Sequence, residues 1–208
     1  MRITLKNHQC MGIVCAGFIL FWCASCTPKL SATDYFNHFN TYQSESYLEV
    51  VKNGIRYKLQ YRPKEFQAVN ALKGSGDVNR EEVNQQINNA GDPHLYCLRV
   101  EAEEGGEDIM QFNLSSKEDY FRRVELLNSE FNNMVVGVKN QDTTYTRFHH
   151  FERTYQLRPF VQVVFSLNKS DDHHPGEIVF TDYIFNEGEE IVFHQVDQYQ
   201  NKLPRLGL

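Results

Sequence analysis

The pair Asn53-Gly54 sits between two short alternating segments, Tyr47 to Lys52 and Ile55 to Tyr61, and constrains the fold more than any other feature of the chain. A two-residue type I′ loop needs positive φ at both central positions, which asparagine and glycine tolerate and branched residues do not. A loop of that length pairs residue 50 with 57 and residue 48 with 59. Val50 then faces Tyr57 and Leu48 faces Leu59 on one side of the ribbon. On the other, Glu49 falls opposite Lys58, an attractive cross-strand pair. Turn chemistry and side-chain alternation select the same register, so an antiparallel hairpin seeds the sheet.

The flanking segments extend this pattern. Ser31-Ala-Thr-Asp34 is a capping-box-like start, and Tyr35, Phe39 and Tyr42 recur behind it at helical spacing, predicting a short amphipathic helix whose rings pack on the domain. Pro63 opens a helical stretch through Leu72 and Gly74-Ser-Gly76 breaks it. A polar helix from about Asn79 to Asn89 then ends at Gly91 and Pro93. Leu95 to Ala102 reads as a strand with Tyr96, Leu98 and Val100 on one face and Cys97 beside Arg99 on the other. Beyond the acidic loop Glu103 to Asp108, the alternation of Met110, Phe112 and Leu114 predicts a strand hairpinned to it.

Ser115-Ser-Lys-Glu118 has the form of a capping box, and Tyr120, Val124, Leu127 and Phe131 behind it form an apolar helical stripe that covers the sheet. The last third predicts strands at about 134–139, 145–156, 160–167, 177–185 and 190–196, then a short helix near Gln198 to Leu203. Turns at Asn140-Gln-Asp142, Asp171 to Gly176 and Asn186-Glu-Gly188 separate the strands. Strands joined mainly by hairpins, with few helices, give an α+β fold: a predominantly antiparallel sheet with helices packed on it.

The N-terminus carries a different signal. Arg2 and Lys6 are followed by an uncharged window, residues 7 to 28, holding the dense apolar run Met11 to Trp22 and then Ala24 and Ser25 before Cys26. A basic start, an apolar stretch of this length and small residues at its end form an export leader. A membrane-spanning helix needs about 20 mostly apolar residues, which this window reaches only by including Asn7, His8, Gln9, Thr27 and Pro28. Cys23-Ala24-Ser25-Cys26 resembles the lipobox of bacterial lipoproteins, matching its two small residues and its cysteine, with Cys23 where leucine is usual. The resemblance covers about the first 26 residues and implies cleavage before Cys26, acylation of Cys26, and membrane attachment through that lipid. It implies three regions: a signal peptide over 1–25, a lipidated N-terminus and tether over 26–45, and a single α+β domain over 46–208. Thr27, where aspartate would retain some lipoproteins at the inner membrane, fits an outer membrane facing the periplasm if the envelope is Gram-negative.

Cysteine usage and charge narrow the function. Four of the five cysteines lie in the leader or at its end, so a mature chain keeps only Cys26, consumed by acylation, and Cys97. That leaves no disulfide framework. The 183 residues from Cys26 onward carry 19 Lys and Arg against 27 Asp and Glu, a net charge of −8. A body of this size buries about 70% of its unfolded surface, enough for one core without staples. An acidic surface without basic clusters argues against nucleic acid and against electrostatic docking to anionic lipid, so the acyl chains must hold the body.

Chemistry-bearing motifs are sparse. His149 and His150 are adjacent in a strand and point to opposite faces. His173-His174 follow Asp171-Asp172 in a turn, but zinc wants about three or four converging ligands and no second spaced cluster exists, so no bound metal is expected. The acidic stretch Glu101 to Asp108 lacks the order of a calcium loop. Cys97, in a strand, reads as a packed thiol, and neither a nucleophile elbow nor a phosphate loop is present, so no cofactor is expected. Three readings follow. The first is a non-enzymatic interaction or assembly domain with envelope protein partners. The second is a binding module for a glycan, peptide or small apolar ligand lined by Tyr145, Phe148, Phe151 and Tyr155. The third is a hydrolase with a dispersed site. A flat apolar patch, an aromatic groove or a cleft of convergent carboxylates respectively would favour each.

Overall fold

The computed structural model describes residues 27–73, 78–89, 94–152, 157–168 and 174–208. The leader with Cys26, the break at Gly74-Ser-Gly76, the helix stop at Gly91 and Pro93, Tyr155, and Asp171 to His173 lie outside the described residues.

The hairpin forms in the expected register. Strand β2 (Leu48–Lys52) and strand β3 (Ile55–Arg62) pair Leu48 with Leu59 and Val50 with Tyr57. Asn53 and Gly54 both adopt positive φ, 53° and 77°. Strand β4 (Leu95–Ala102) lies antiparallel to β3 along its whole length. Strands β5 (Val135–Lys139), β6 (Asp142–Glu152), β7 (Phe160–Leu167), β8 (Glu177–Asp182) and β9 (Glu189–Phe193) complete one antiparallel sheet in the order β2-β3-β4-β7-β6-β5-β8-β9. Strand β6 serves both halves: it pairs with β5 as far as Tyr145 and with β7 from Thr146 onward, with a bulge between Thr146 and Phe148. A bulge bends its strand and adds twist, and the sheet curls until its edges β2 and β9 meet, nearly closing a barrel.

The interior takes one face of every strand: Tyr57, Leu98, Val163, Phe165, Phe180 and Phe193 are each essentially inaccessible. Fully burying a side chain of that kind contributes about 1.5–3 kcal/mol. Helix α4 (Lys117–Glu125) continues through a wider turn to Phe131, and its apolar stripe enters this interior. Phe131 packs on Phe165 and Phe180 at centroid distances of 5.8 and 5.7 Å. Three further helices, α1 (Ala32–Asn40), α2 (Lys64–Ala71) and α3 (Arg80–Asn89), cover part of the outer face. Ser31 caps α1 as its sequence implies, accepting from Asp34 N and donating to the Asp34 carboxylate at 2.7 Å. Tyr35 and Phe39 are buried against Phe66, Tyr199 and Leu203, so α1 belongs to the folded body. Helix α5 (Val196–Gln200) precedes strand β10 (Arg205–Leu206), which pairs in parallel with strand β1 (Lys29–Leu30).

Four local expectations need correction. Met110, Phe112 and Leu114 form no strand. The Asp108 carboxylate accepts from Met110 N and its carbonyl from Gln111 N and Phe112 N, winding 108–114 into turns. The place beside β4 is taken instead by β7, whose almost wholly apolar run offers a longer ladder and more burial than a local hairpin. The cap of α4 is Ser116 with Asp119, one residue beyond the Ser115–Glu118 pair; either spacing meets the same rule. Glu49 and Lys58 are register partners, yet Lys58 reaches across to Glu101 at 2.6 Å and Glu49 meets Arg56 at 3.5 Å. Charge pairing follows the most buried carboxylate. Finally, β8 stops at Asp182, whose side chain accepts from Ile184 N and Phe185 N and turns the chain out of the sheet.

Candidate functional site

Three places in the fold gather polar side chains. The first is a cleft of about 600 Å³ at one mouth of the barrel, between α4 and the β8–β9 turn. Behind it Tyr57 Oη donates to Asp182 at 2.6 Å, Asn186 Nδ2 donates to Tyr57 Oη at 3.2 Å, and Asn53 Nδ2 donates to Asn186 Oδ1 at 2.8 Å. Arg123 closes the other side, donating to the Ile109 and Met110 carbonyls at 3.2 Å and lying 5.2 Å from the Phe185 ring. Burial pushes the Asp182 carboxyl upward, only partly offset by the Tyr57 hydroxyl and the two backbone donors. The Tyr57 hydroxyl, both Asp182 oxygens and the Asn186 amide are spent on joining β3, β8 and the turn. Its chemistry is that of a latch.

The second is a pair of imidazoles, His94 and His174, whose rings meet edge to face with centroids 4.1 Å apart. Tyr61 Oη lies 3.3 Å from His94 Nδ1, and Tyr96 Oη lies 3.3 Å from His174 Nδ1. Gln200 Nε2 donates to Tyr96 Oη at 3.0 Å. Burial, then the neighbouring His94 and Lys139, depress His174 to about 4, against a weaker upward pull from Asp197. His174 is therefore neutral at physiological pH.

The third is a smaller pocket of about 240 Å³ on the outer face, where α1 and α2 meet the ends of β3, β6 and β7. Arg62, Arg99 and Arg158 line it with Tyr42, Phe160 and Gln162. Arg99 stacks 3.5 Å over the Phe160 ring and is forked onto Glu101 at 2.6 and 2.8 Å. Arg62 is partly buried beside Phe66, and its Nε has no hydrogen-bond partner. Beneath, the wholly buried Cys97 thiol lies 3.1 Å from Tyr42 Oη, which also accepts from Gln162 Nε2 at 2.7 Å. Burial raises both Cys97 and Tyr42 above their usual ranges, so both are neutral at pH 7.

The sequence-derived candidates separate in space. Cys26 lies outside the described residues. His149 turns toward the end of α4, reaching Asn132 Oδ1 at 2.7 Å and the Asn128 carbonyl at 3.0 Å. Of the aromatic set, Tyr145 and Phe148 are exposed while Phe151 packs on the core. Among the described residues no group of three or more His, Cys, Asp or Glu converges as metal ligands. No helix among them is long and apolar enough to cross a membrane. The arginine pocket escaped the sequence reading because its members come from three separate segments: the end of β3, the middle of β4 and the bend before β7. The one local signal was Arg99 beside Cys97 on the outward face of β4.

No family model matches this chain, and no curated protein does. A crystal structure of a novel protein of unknown function from Burkholderia pseudomallei K96243 is similar at 10% identity, covering 84% of this chain and 96% of that one, with a TM-score of 0.36.

Proposed function

We propose that this chain is a bacterial envelope lipoprotein, exported on its leader, anchored by acylation of Cys26, and carrying a non-enzymatic interaction domain. The anchor rests on the leader and the Cys23-Ala24-Ser25-Cys26 box. One feature of the fold bears on how such an anchor would act. The Pro28 carbonyl accepts from Arg205 N at 2.9 Å and the Leu30 carbonyl from Gly207 N at 2.8 Å. Thr27 alone then separates Cys26 from the fold, so a lipid there would hold the body close to the bilayer, with a preferred face toward it.

The interaction reading is carried by the outer face of the barrel's second half. Val192, Val179, Val136 and Tyr145 are successive register partners on β9, β8, β5 and β6, and so share one face. The valines are half-buried and Tyr145 is 63% exposed. This apolar row runs between polar ones, Glu190 with Thr181 on one side and His194 with Glu177 on the other. Contiguous apolar surface rimmed by polar residues is the usual signature of a protein contact.

Two measurements test the two halves. Mass analysis of the membrane-extracted protein should show a chain beginning at acylated Cys26. Cys26→Ala should retain the leader, and an unmodified, uncleaved wild-type chain would sink the anchor. Co-purification from gently solubilised membranes should recover a defined partner that Tyr145→Ser combined with Val136→Thr loses; an unchanged partner set in that variant would sink the interaction face.

A further inference from the structure

We propose that the pocket lined by Arg62, Arg99 and Arg158 is a binding site for a small ligand bearing an oxyanion, a carboxylate, sulfate or phosphate group, engaged by Arg62 at depth and Arg158 at the rim. This goes beyond the reading above and does not depend on the lipid anchor or the apolar row.

The first ground is the state of Arg62. A guanidinium has five donors and no acceptor, and taking one out of water without partners is costly. Its Nε is buried and unpartnered. The groups beneath it, Cys97 and Tyr42, are neutral at physiological pH, so the hydrogen bond that Arg62 shares with Tyr42 brings it no counter-charge. Glu152, which acts on Arg62 through its field, is the one carboxylate among the described residues lining the pocket, set against three guanidiniums. Arg99 is already forked onto Glu101, so it serves as a wall and not as a free donor.

The second ground is the shape and lining. The space of about 240 Å³ is walled by the Phe66, Tyr42 and Phe160 rings, over which the guanidiniums lie at 3.5 to 5.8 Å. Asn40, Asn70 and Gln162 add neutral amides at its walls. Stacked guanidiniums keep their N–H edges free for in-plane contacts, the geometry that matches a carboxylate or phosphate. In a body whose net charge is negative, a local excess of arginine in a concave, ring-walled site is a departure from its surroundings. It selects for an anion by charge and for a small one by volume.

The test uses the full-length protein, purified from whichever cell fraction holds it with a neutral detergent present, in low-chloride buffer. Thermal unfolding and titration calorimetry are run with inorganic phosphate, sulfate and glucuronate at millimolar concentration, with glucose as the neutral control. At least one oxyanion should raise the melting temperature and glucose should not. A stronger response to glucuronate assigns a carboxylate ligand, and a stronger one to phosphate or sulfate assigns a tetrahedral anion. Arg62→Gln should weaken binding about tenfold or more. Its melting temperature without ligand should stay close to that of the wild type, because glutamine keeps amide donors beside Tyr42 while removing a guanidinium whose Nε is buried without a partner. Arg158→Gln, at an exposed position, tests the rim without touching the core and should weaken binding severalfold. If none of the three anions raises the melting temperature, or if the response survives in both variants, the proposal is overturned.

Discussion

Tyr57 Oη donates a 2.6 Å hydrogen bond to Asp182 across the barrel interior, joining the second strand of the first hairpin to the end of β8. The sheet order leaves β2 and β9 as its edges, so side chains complete the cylinder at that seam. Asn53 reaches Asn186, and Lys52 pairs with Glu189 and reaches the Glu190 carbonyl at 3.4 Å. An open edge exposes unpaired backbone groups that invite other chains. This one is occupied by the hairpin it faces.

Tyr57→Phe removes one donor from a carboxylate with essentially no solvent access. Leaving a buried acceptor short of a partner costs about 1–3 kcal/mol. Chemical denaturation at pH 7 should show that loss. The double variant with Asp182→Asn should lose less than the sum of the two single changes, because the residues act as one unit. Strict additivity would mean that the seam is not a latch.

Two turns predict stability changes of opposite sign. Gly54 has φ of 77°, and its missing Cβ would meet only Phe112 at an ordinary 3.5 Å, so the cost of a side chain there is conformational. Gly54→Val should destabilise by about 1 kcal/mol or more. Asn140 and Gln141 form the matching loop between β5 and β6, with φ of 49° and 74°. Here the second position carries glutamine where glycine is free of strain. Gln141→Gly should therefore stabilise by about 0.5–1 kcal/mol, read as a shifted urea midpoint with unchanged slope.

Those two turns also mark what the sequence could and could not disclose. Asn53-Gly54 is a local signal, complete in two residues, and its register followed from the loop length and the alternation on either side. The span of β7 was legible from its apolar run, but not that it lies between β4 and β6, because neighbour choice depends on burial summed over the whole sheet. The alternation of Met110, Phe112 and Leu114 misled for the same reason. Three apolar side chains at strand spacing also suit a turn held by Asp108, and tertiary competition for β4 decided the matter. The α+β class and antiparallel sheet followed from hairpin-length connections, and near-closure did not, because the Arg147 bulge has no local signature. The arginine pocket was opaque in the same way: Arg62, Arg99 and Arg158 are ordinary surface residues until three elements bring them together.

The histidine pair makes stability depend on pH. His174 is depressed to about 4 in the folded chain, whereas an unfolded histidine titrates near 6.5. Between those values the unfolded state binds more protons, so this residue's contribution is whole above about pH 6.5 and is lost as pH falls toward 4. Because the ring keeps some contact with solvent, the loss is discounted to about 1 kcal/mol. Asp182, raised by burial, works in the opposite direction as pH rises through its folded value. The wild-type curve alone therefore mixes the two effects. The difference between wild type and His174→Gln isolates the first: it should be flat above pH 7 and change steadily from 6.5 to 4. A difference independent of pH would remove the assignment.

Cys97 supplies the last prediction, because its thiol should report on opening of the whole body. It has no solvent access, burial raises it above the ordinary thiol range, and it lies beneath Tyr42 and Gln162 at the base of the arginine pocket. Only a thiolate alkylates readily, so access and ionisation both oppose reaction in the native state. Iodoacetamide should label the Cys97 peptide, identified by mass spectrometry, slowly in native buffer and completely in urea. The native rate should fall further when an oxyanion fills the pocket, since a ligand bound only to the folded state suppresses its opening. Cys97→Ser places a shorter polar group against Tyr42 and Gln162 and should cost about 1–2 kcal/mol without preventing folding, in reductant and chelator alike. Rapid stoichiometric labelling of the native protein would mean that the Tyr42 and Gln162 cover over Cys97 is not closed. The pocket would then lack the buried floor on which its affinity for an anion depends.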